Sequence, residues 1–150
     1  MKEVRYLNKF KDKGHYCDNL VLNCMDFRFH EALESHLELF FKYKVFTYDS
    51  RGSVGGSFSI IDKENRDTVF EAIDLAVEKH KVERVIIVDH IDCGGYGGST
   101  KHENETKERE FHVAKLREAY SIIKERYSDL DVVLLYQDWD TICEVTPKEA

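Results

Sequence analysis

The strongest constraint in this sequence is the alternation between short apolar runs and segments with helical periodicity. The apolar runs are rich in β-branched residues and predict buried strands at residues 20–22, 45–48, 85–88 and 132–136. Between them, apolar residues share one helical face in three sets: Leu33, Leu37, Phe40 and Phe41, then Val69, Phe70, Ile73 and Val77, then Val113, Leu116, Tyr120 and Ile123. Strands separated by helices of this length predict a three-layer α/β/α fold with a mostly parallel central sheet.

The length and composition are typical of one folded domain. The chain has 150 residues, of which 42% are hydrophobic and 34% are charged, a balance that supports a sizeable core. Pro147 is its single proline, and no linker, repeat or low-complexity block interrupts the pattern. We therefore expect one domain over residues 1–150.

The charge balance limits the class of partner. The 29 acidic and 22 basic side chains give a net charge of −7, which disfavours a nucleic acid or an anionic membrane surface. No segment approaches the roughly 20 apolar residues of a membrane span, and the charged opening residues predict no export signal. We expect a cytoplasmic protein, in which four cysteines indicate metal binding or thiol chemistry rather than disulfides.

Three candidate metal ligands follow predicted strands. Cys24 comes directly after the first apolar run, and His90 and Cys93 come directly after the third. The carboxyl ends of parallel strands collect ligands, and two thiolates with one imidazole suit a zinc ion that keeps an open fourth position. Alternatively, the cysteines are small buried apolar residues and His90 is a hydrogen-bonded loop histidine. The spacing alone leaves both interpretations open.

The motifs around these residues resemble a known zinc signature. Cys-x-Asp-x-Arg begins at Cys24, and His-x-x-Cys-Gly-Gly begins at His90, 66 residues later (90 − 24). This pair is similar to the signature of the β-class carbonic anhydrases, and the resemblance extends from about residue 20 to residue 136. It implies a β-carbonic anhydrase-like fold, Zn²⁺ held by Cys24, His90 and Cys93, a catalytic dyad of Asp26 and Arg28, and a homodimer or higher homo-oligomer.

The resemblance also implies an activity, the reversible hydration of carbon dioxide to bicarbonate by a zinc lyase (carbonate dehydratase). Zinc lowers the pKa of its bound water to about 7 and so supplies zinc-bound hydroxide at neutral pH. Asp26 would orient that hydroxide, and the planar guanidinium of Arg28 would hold the carboxylate off the metal. In some family members this pair opens and the aspartate closes the site as fourth ligand, and the sequence permits both states. In most proteins such an Asp and Arg form only a surface ion pair.

Two other functions remain open at this point. The same scaffold can hydrolyse carbonyl sulfide or carbon disulfide, which are isosteres of carbon dioxide. A non-catalytic zinc protein with Asp26 as fourth ligand is the alternative from another class. A phosphatase or nucleotide site is disfavoured, since the glycine-rich tract after Cys93 lacks the arginine of a cysteine phosphatase loop and the Gly-Lys-Ser/Thr of a P-loop.

The substrate-binding residues are predicted where the sequence departs from the family. After the second strand the family usually reads Arg-Asn-Ala-Gly-Asn, whereas residues 49–53 read Asp-Ser-Arg-Gly-Ser and keep only Gly52. Arg51 would place a positive charge near the substrate and bind bicarbonate or another anion, or would pair with Asp49 or Asp92. Gly94 belongs to a tight loop that can turn its amides toward the site. The few residues before Cys24 leave little chain to wrap a partner subunit, so the expected dimer is smaller or differently built.

The remaining residues of note are mostly predicted to have no part in catalysis or metal binding. Cys17 and Cys143 are expected to be ordinary thiols, and residues 100–110 to be a solvated loop or helix start. Tyr136 and Trp139 are expected to cover a sheet edge or an interface, with a final strand after Asp140. The histidines outside the signature are expected to lie on the solvated surface: His15, His30, His36, His80, His102 and His112. His30 is also a candidate proton shuttle.

Overall fold

The computed structural model describes Asp12, residues 14–40 and residues 48–147. Within these residues, five strands form one sheet in the order β2-β1-β3-β4-β5. The first four strands are parallel and β5 runs antiparallel to β4, which confirms the mostly parallel sheet and the final strand. The strands are β1 (Asn19–Cys24), β2 (Tyr48–Ser53), β3 (Arg84–His90), β4 (Asp131–Gln137) and β5 (Ile142–Glu144).

In the described part of the chain, four α-helices lie between the strands, and three of them carry most of the predicted apolar sets. They are α1 (His30–Phe40), α2 (Gly56–Ile61), α3 (Lys63–Leu75) and α4 (Glu105–Arg126). A π-helical turn, Ala76–His80, continues α3, and 3₁₀ turns lie at Phe27–Phe29, Gly94–Tyr96 and Ser99–Lys101. The short α2 was not predicted, because six residues with glycine and serine show no helical periodicity. Phe41 of the first apolar set lies outside the described residues.

Helices cover both faces of the sheet, as the three-layer prediction requires. On β3, Val85 and Ile87 pack into the larger core, which also contains apolar side chains from α2, α3 and α4. Ile86 and Val88 point the other way and pack against Leu33 and Leu37 of α1 in a smaller core. Alternate side chains of a strand point to opposite faces, so a continuous apolar run fits this strand, which is buried on both sides.

The second strand differs from its prediction. The apolar run at residues 45–48 predicted a strand that ends at Asp49, but β2 begins at Tyr48 and continues to Ser53, through the segment expected to be a loop. Residues 45–47 lie outside the described part of the chain. β2 is an edge strand with partly exposed side chains, and main-chain pairing with β1 holds it without an apolar sequence.

The polar beginning of α4 also differs from its prediction. Asn104 caps this helix by accepting a hydrogen bond from the Lys107 amide at 3.0 Å. Glu108 and His112, both expected to be solvated, are buried in the protein interior. Tyr136 likewise lies in the larger core rather than at a sheet edge. Within the residues described, no helix has the length and apolarity needed to cross a membrane.

Candidate metal centre

The fold brings Cys24, His90 and Cys93 into one cluster. The three potential ligand atoms all lie within 4.8 Å of one another. Cys24 is the last residue of β1, and His90 is the last residue of the neighbouring strand β3. Since β2 lies on the other side of β1, the cluster sits where the chain connections diverge, at the carboxyl ends of the strands. Cys93 returns to the cluster through a turn in which Asp92 adopts a positive φ of 56°.

The His90 ring has the arrangement of a metal ligand. Its Nδ1 lies 2.7 Å from the Ile91 carbonyl oxygen, which can only accept a hydrogen bond, so the ring proton is on Nδ1. Nε2 then carries a lone pair, and this buried atom has no hydrogen-bond partner among the described residues. Phe29 packs on the ring with the centroids 4.2 Å apart. A buried, oriented nitrogen without a partner fits a position that binds a metal.

The two thiols complete this donor set. A hydrogen bond from the Cys93 thiol lowers the pKa of Cys24, whereas the neighbouring Cys24 raises the pKa of Cys93. The pair therefore holds one proton in the space where a metal ion would bind both sulfurs as thiolates. Gly55 donates its amide to Cys24 Sγ at 3.4 Å with a φ of 66°, and a Cβ there would lie 2.8 Å from Phe58 Cβ. Two thiolates and one imidazole suit zinc better than magnesium or calcium.

Asp26 and Arg28 form a bidentate ion pair beside the cluster. The Arg28 Nη2 donates to Asp26 Oδ2 at 2.6 Å, and Nε donates to Oδ1 at 3.0 Å. The Arg28 amide also donates to Oδ1 at 3.1 Å. Hydrogen bonds from Arg28 lower the pKa of Asp26 to about 2. Arg28 thus holds both carboxylate oxygens, and the carboxylate is not one of the clustered potential ligands.

Arg28 is itself fixed from two sides. Its Nη1 donates to Asp92 Oδ2 at 3.0 Å, which links the dyad to the turn that carries Cys93. Its guanidinium carbon lies 5.5 Å from the ring centroid of Phe29 and 5.4 Å from that of Trp139. Trp139, expected at a sheet edge or interface, therefore packs over the dyad, with about half of its surface still exposed.

Glu108 of α4 holds the turn that carries Asp92 and Cys93. Its Oε1 accepts the Asp92 amide at 2.7 Å, and its Oε2 accepts the Ser99 hydroxyl at 2.6 Å. The Ser99 amide donates to Asp92 Oδ1 at 2.9 Å, which closes a ring of hydrogen bonds. Through Asp92 this ring connects α4 to Arg28, and through the chain it connects α4 to Cys93.

A second buried polar group lies under His90. Asp89 Oδ1 accepts the Ser57 amide at 2.7 Å, and Asp89 Oδ2 accepts the Ser57 hydroxyl at 2.5 Å. His112 Nδ1 lies 3.2 Å from the same Oδ2, and Tyr96 OH lies 2.7 Å from the Ser57 hydroxyl. These contacts join α2, β3 and α4 directly behind the metal cluster.

These supporting residues were not predicted from the sequence, although two signals were present. Asp89 follows the apolar run of β3 and directly precedes a proposed ligand. Glu108 and His112 precede Leu116 by eight and four residues, so all three lie on one helical face. Reading that stripe as purely apolar excluded the two polar residues that continue it.

The three predicted substrate-binding residues differ in how near they lie to the metal cluster and the dyad. Gly94 directly follows Cys93, and a Cβ built there would meet nothing within 4 Å. At Gly52 a Cβ would lie 3.8 Å from Met25 Cα, next to the dyad segment. Arg51 points to α3, where its Nη2 donates to Thr68 Oγ1 at 3.0 Å, and no described polar contact joins it to the metal cluster. Its expected role in anion binding stays a prediction without support from these contacts.

His30 and Cys143 are tied to backbone and side-chain partners. His30 Nε2 lies 3.1 Å from the Cys24 carbonyl oxygen, so this exposed ring contacts the end of β1 through the main chain. Its role as a proton shuttle stays a prediction. Cys143 accepts a hydrogen bond from Arg109 Nη2 at 3.2 Å and takes no part in the cluster.

Relatives of this chain were found by sequence. It is 26% identical over 148 residues to an uncharacterized protein of Rickettsia conorii, covering 95% of this chain and 78% of the relative. It is 25% identical over 131 residues to an uncharacterized protein of Rickettsia bellii, covering 83% and 79% of the two chains.

Solved structures share the fold at low sequence identity. Tetrameric β-carbonic anhydrases from Sordaria macrospora match with a TM-score of 0.61 and 16% identity, covering 91% of this chain and 84% of theirs. The β-carbonic anhydrase CafA of Aspergillus fumigatus matches with a TM-score of 0.58 and 15% identity, covering 91% and 79%. The family model described as "Putative carbonic anhydrase" matches residues 15–146. The chain therefore belongs to this carbonic anhydrase family, with the β-carbonic anhydrase fold that its motifs indicated.

Proposed function

We propose that this protein is a zinc-dependent carbonic anhydrase that reversibly hydrates carbon dioxide to bicarbonate. Cys24, His90 and Cys93 would hold the zinc ion, and residues 1–150 would act as one domain. The observation that carries the proposal is the buried Nε2 of His90, which has no partner among the described residues and lies beside two thiols. The fourth position would stay open, because Arg28 holds both oxygens of Asp26.

The chain's own residues support this chemistry. When bound, the zinc ion would make water acidic enough to provide a nucleophile at neutral pH. Asp26 is ionised and can only accept hydrogen bonds, so it would orient a proton donor beside the metal. Arg28 would keep the Asp26 carboxylate in this position and away from the zinc. Asp92 and Glu108 would act as positioning residues, since they fix Arg28 and the turn that carries Cys93.

The walls beside Cys93 suit a small neutral substrate. A Cβ at Gly95 would lie 2.9 Å from Val54 Cγ1, 3.6 Å from Phe58 Cγ and 3.7 Å from Cys93 Sγ, so Gly95 sits between these apolar side chains and the sulfur. Carbon dioxide has no charge, and it needs an apolar approach more than a cationic one. The open space at Gly94 and the position of Gly52 beside the dyad segment support their roles as substrate-binding residues.

The test is Asp26→Asn compared with Asp129→Asn in the zinc-loaded protein. Asp129 is exposed and has a hydrogen bond to Ser128, in the turn before β4 at the opposite end of the sheet. We expect Asp26→Asn to keep its zinc and lose at least about 100-fold in hydration rate, the scale seen when one polar contact to the reacting group is removed. Asp129→Asn should match the wild type. Stopped-flow hydration with a pH indicator measures the rate, and metal analysis measures the zinc.

Other results would reject parts of the proposal. Full activity of Asp26→Asn would remove the dyad from the mechanism. A wild-type protein that binds zinc but is silent at every pH would indicate a non-catalytic zinc protein with Asp26 as fourth ligand. Hydrolysis of carbonyl sulfide or carbon disulfide without hydration of carbon dioxide would reassign the substrate.

We also propose that the protein forms a homodimer or a higher homo-oligomer. Large apolar side chains near the dyad remain exposed in the single chain, notably Met25, Phe27, Val54 and Trp139. Such side chains suit burial against a second copy. The structurally similar Sordaria macrospora enzymes are tetrameric. Light scattering of the wild type and of Phe27→Glu tests this: the wild type should have at least twice the monomer mass, and a monomeric wild type would reject it. The cytoplasmic location stays a prediction.

A further inference from the structure

A second cluster of potential metal ligands lies at the amino end of the sheet. It consists of Cys17, Asp49 and His80, whose potential ligand atoms all lie within 4.8 Å of one another. Asp49 pairs with Leu20 in β1, whereas Cys24 lies four residues further along the same strand. At about 3.3 Å per residue, the two clusters are separated by about 13 Å along the strand. Nothing in the proposed hydration reaction uses these three residues.

The backbone fixes the three residues relative to one another. The Cys17 amide donates to the His80 carbonyl at 3.0 Å, which joins the segment before β1 to the end of the π-helical turn. Lys81 follows with a φ of 59° and ends that turn. Asp49 is held by its register in β2. The cluster therefore joins the segment before β1, the strand β2 and the π-helical turn, and a main-chain hydrogen bond links the first and the last of these.

The side-chain contacts do not fit a Cys-His-Asp catalytic triad. In a triad the imidazole lies between the thiol and the carboxylate and activates the thiol. Here His80 Nδ1 lies 2.5 Å from Asp49 Oδ2, while the Cys17 thiol donates to the Asn19 carbonyl at 3.6 Å. Burial and the nearby Asp49 carboxylate raise the pKa of Cys17, whereas a nucleophilic cysteine needs a lowered pKa. Without a cation, this thiol stays protonated.

A divalent metal ion would favour the thiolate form of Cys17. It would replace the thiol proton and neutralise the repulsion between the Cys17 thiolate and Asp49. The set of one sulfur, one nitrogen and one oxygen matches zinc, while magnesium and calcium prefer oxygen alone. The exposed His15 offers a fourth ligand, since its ring centroid lies 6.3 Å from that of His80.

We propose that Cys17, Asp49 and His80 form a second zinc site, completed by His15, with a structural role. Its ligands would join the segment before β1, the edge strand β2 and the end of the π-helical turn that continues α3. Structural zinc sites have four protein ligands, which this set provides. The site is independent of the proposed catalytic centre.

Zinc stoichiometry tests the proposal directly. The wild-type protein is saturated with zinc alone, desalted and analysed for metal per chain. We expect two zinc ions in the wild type and in Cys143→Ser, the matched control for a partly buried thiol outside both clusters. Cys17→Ser and His80→Gln should each retain one zinc ion. Circular dichroism establishes that every variant is folded.

A further variant separates the two sites. Cys24→Ser/Cys93→Ser removes the catalytic cluster and should still bind one zinc ion. Cobalt substitution of this variant should give a thiolate-to-cobalt absorption band that disappears when Cys17→Ser is added. One zinc ion in the wild type with none in the double variant would overturn the second site and leave the catalytic site intact. Two zinc ions in folded Cys17→Ser would overturn the ligand assignment.

Discussion

The most informative perturbation of this fold is the removal of the Glu108 carboxylate. Glu108 is 1% exposed and accepts hydrogen bonds from the Asp92 amide and the Ser99 hydroxyl. Glu108 belongs to α4 and lies 16 residues beyond Asp92 in sequence. Its two hydrogen bonds therefore attach the turn that carries Cys93 to α4. Glu108→Ala leaves two donors without this acceptor, and Glu108→Gln keeps the shape but replaces one acceptor oxygen with an amide nitrogen.

The expected magnitudes follow from these two hydrogen bonds. An unsatisfied buried donor costs about 1–3 kcal/mol, and Glu108→Ala leaves two donors, the Asp92 amide and the Ser99 hydroxyl, without their acceptor. We expect Glu108→Ala to lower the free energy of unfolding by about 2–6 kcal/mol and Glu108→Gln by about 1–3 kcal/mol. Glu110→Gln is the matched control, because Glu110 is exposed and accepts a hydrogen bond from the exposed Lys107. Its effect should stay within about 0.5 kcal/mol.

Urea unfolding of the zinc-loaded proteins at pH 7, followed by circular dichroism, measures these differences. The hydration rate should fall in Glu108→Gln as well, because the turn that positions Arg28 and Cys93 loses one of its supports. If Glu108→Ala were no less stable than Glu110→Gln, the carboxylate would not hold the turn and the reasoning would be refuted. Normal stability with lost activity would likewise contradict a role through the fold.

Three further predictions concern other parts of the chain. Gly56→Ala should lower the free energy of unfolding by about 1–3 kcal/mol in urea titrations, since its Cβ would lie 2.1 Å from the Val88 carbonyl oxygen. Gly94→Ala is the control and should leave the free energy of unfolding nearly unchanged, because a Cβ there would meet nothing within 4 Å. Burial lowers the pKa of His36 below 6.5, so the unfolded chain binds the proton first and stability falls as pH drops through about 6.5; His36→Gln should show a weaker fall between pH 7 and 5. Because Arg51 Nη2 donates to Thr68 Oγ1, Arg51→Ala should leave zinc content and anion inhibition unchanged in metal and hydration assays; weakened inhibition would instead support the predicted anion-binding role.

The fold class and the metal cluster could be predicted from the sequence because both depend on local patterns. An apolar run followed at once by a metal-binding side chain places that side chain at a strand's carboxyl end, and parallel strands bring such ends together. Cys24 and His90 therefore meet for a reason visible in the order of residues. The same logic predicted the helices that carry apolar stripes, whose side chains pack in either core.

The tertiary structure alone decided which polar residues are buried. Asp89 and His112 are 23 residues apart and lie 3.2 Å from each other in the interior, where Ser57 also donates to Asp89. Cys17 and His80 are likewise distant in sequence and meet through a main-chain hydrogen bond that no local pattern shows. The extent of β2 depends on pairing with β1 rather than on its own side chains. A sequence records the hydrophobicity of each residue, but the partner that compensates a buried charge is supplied by the fold.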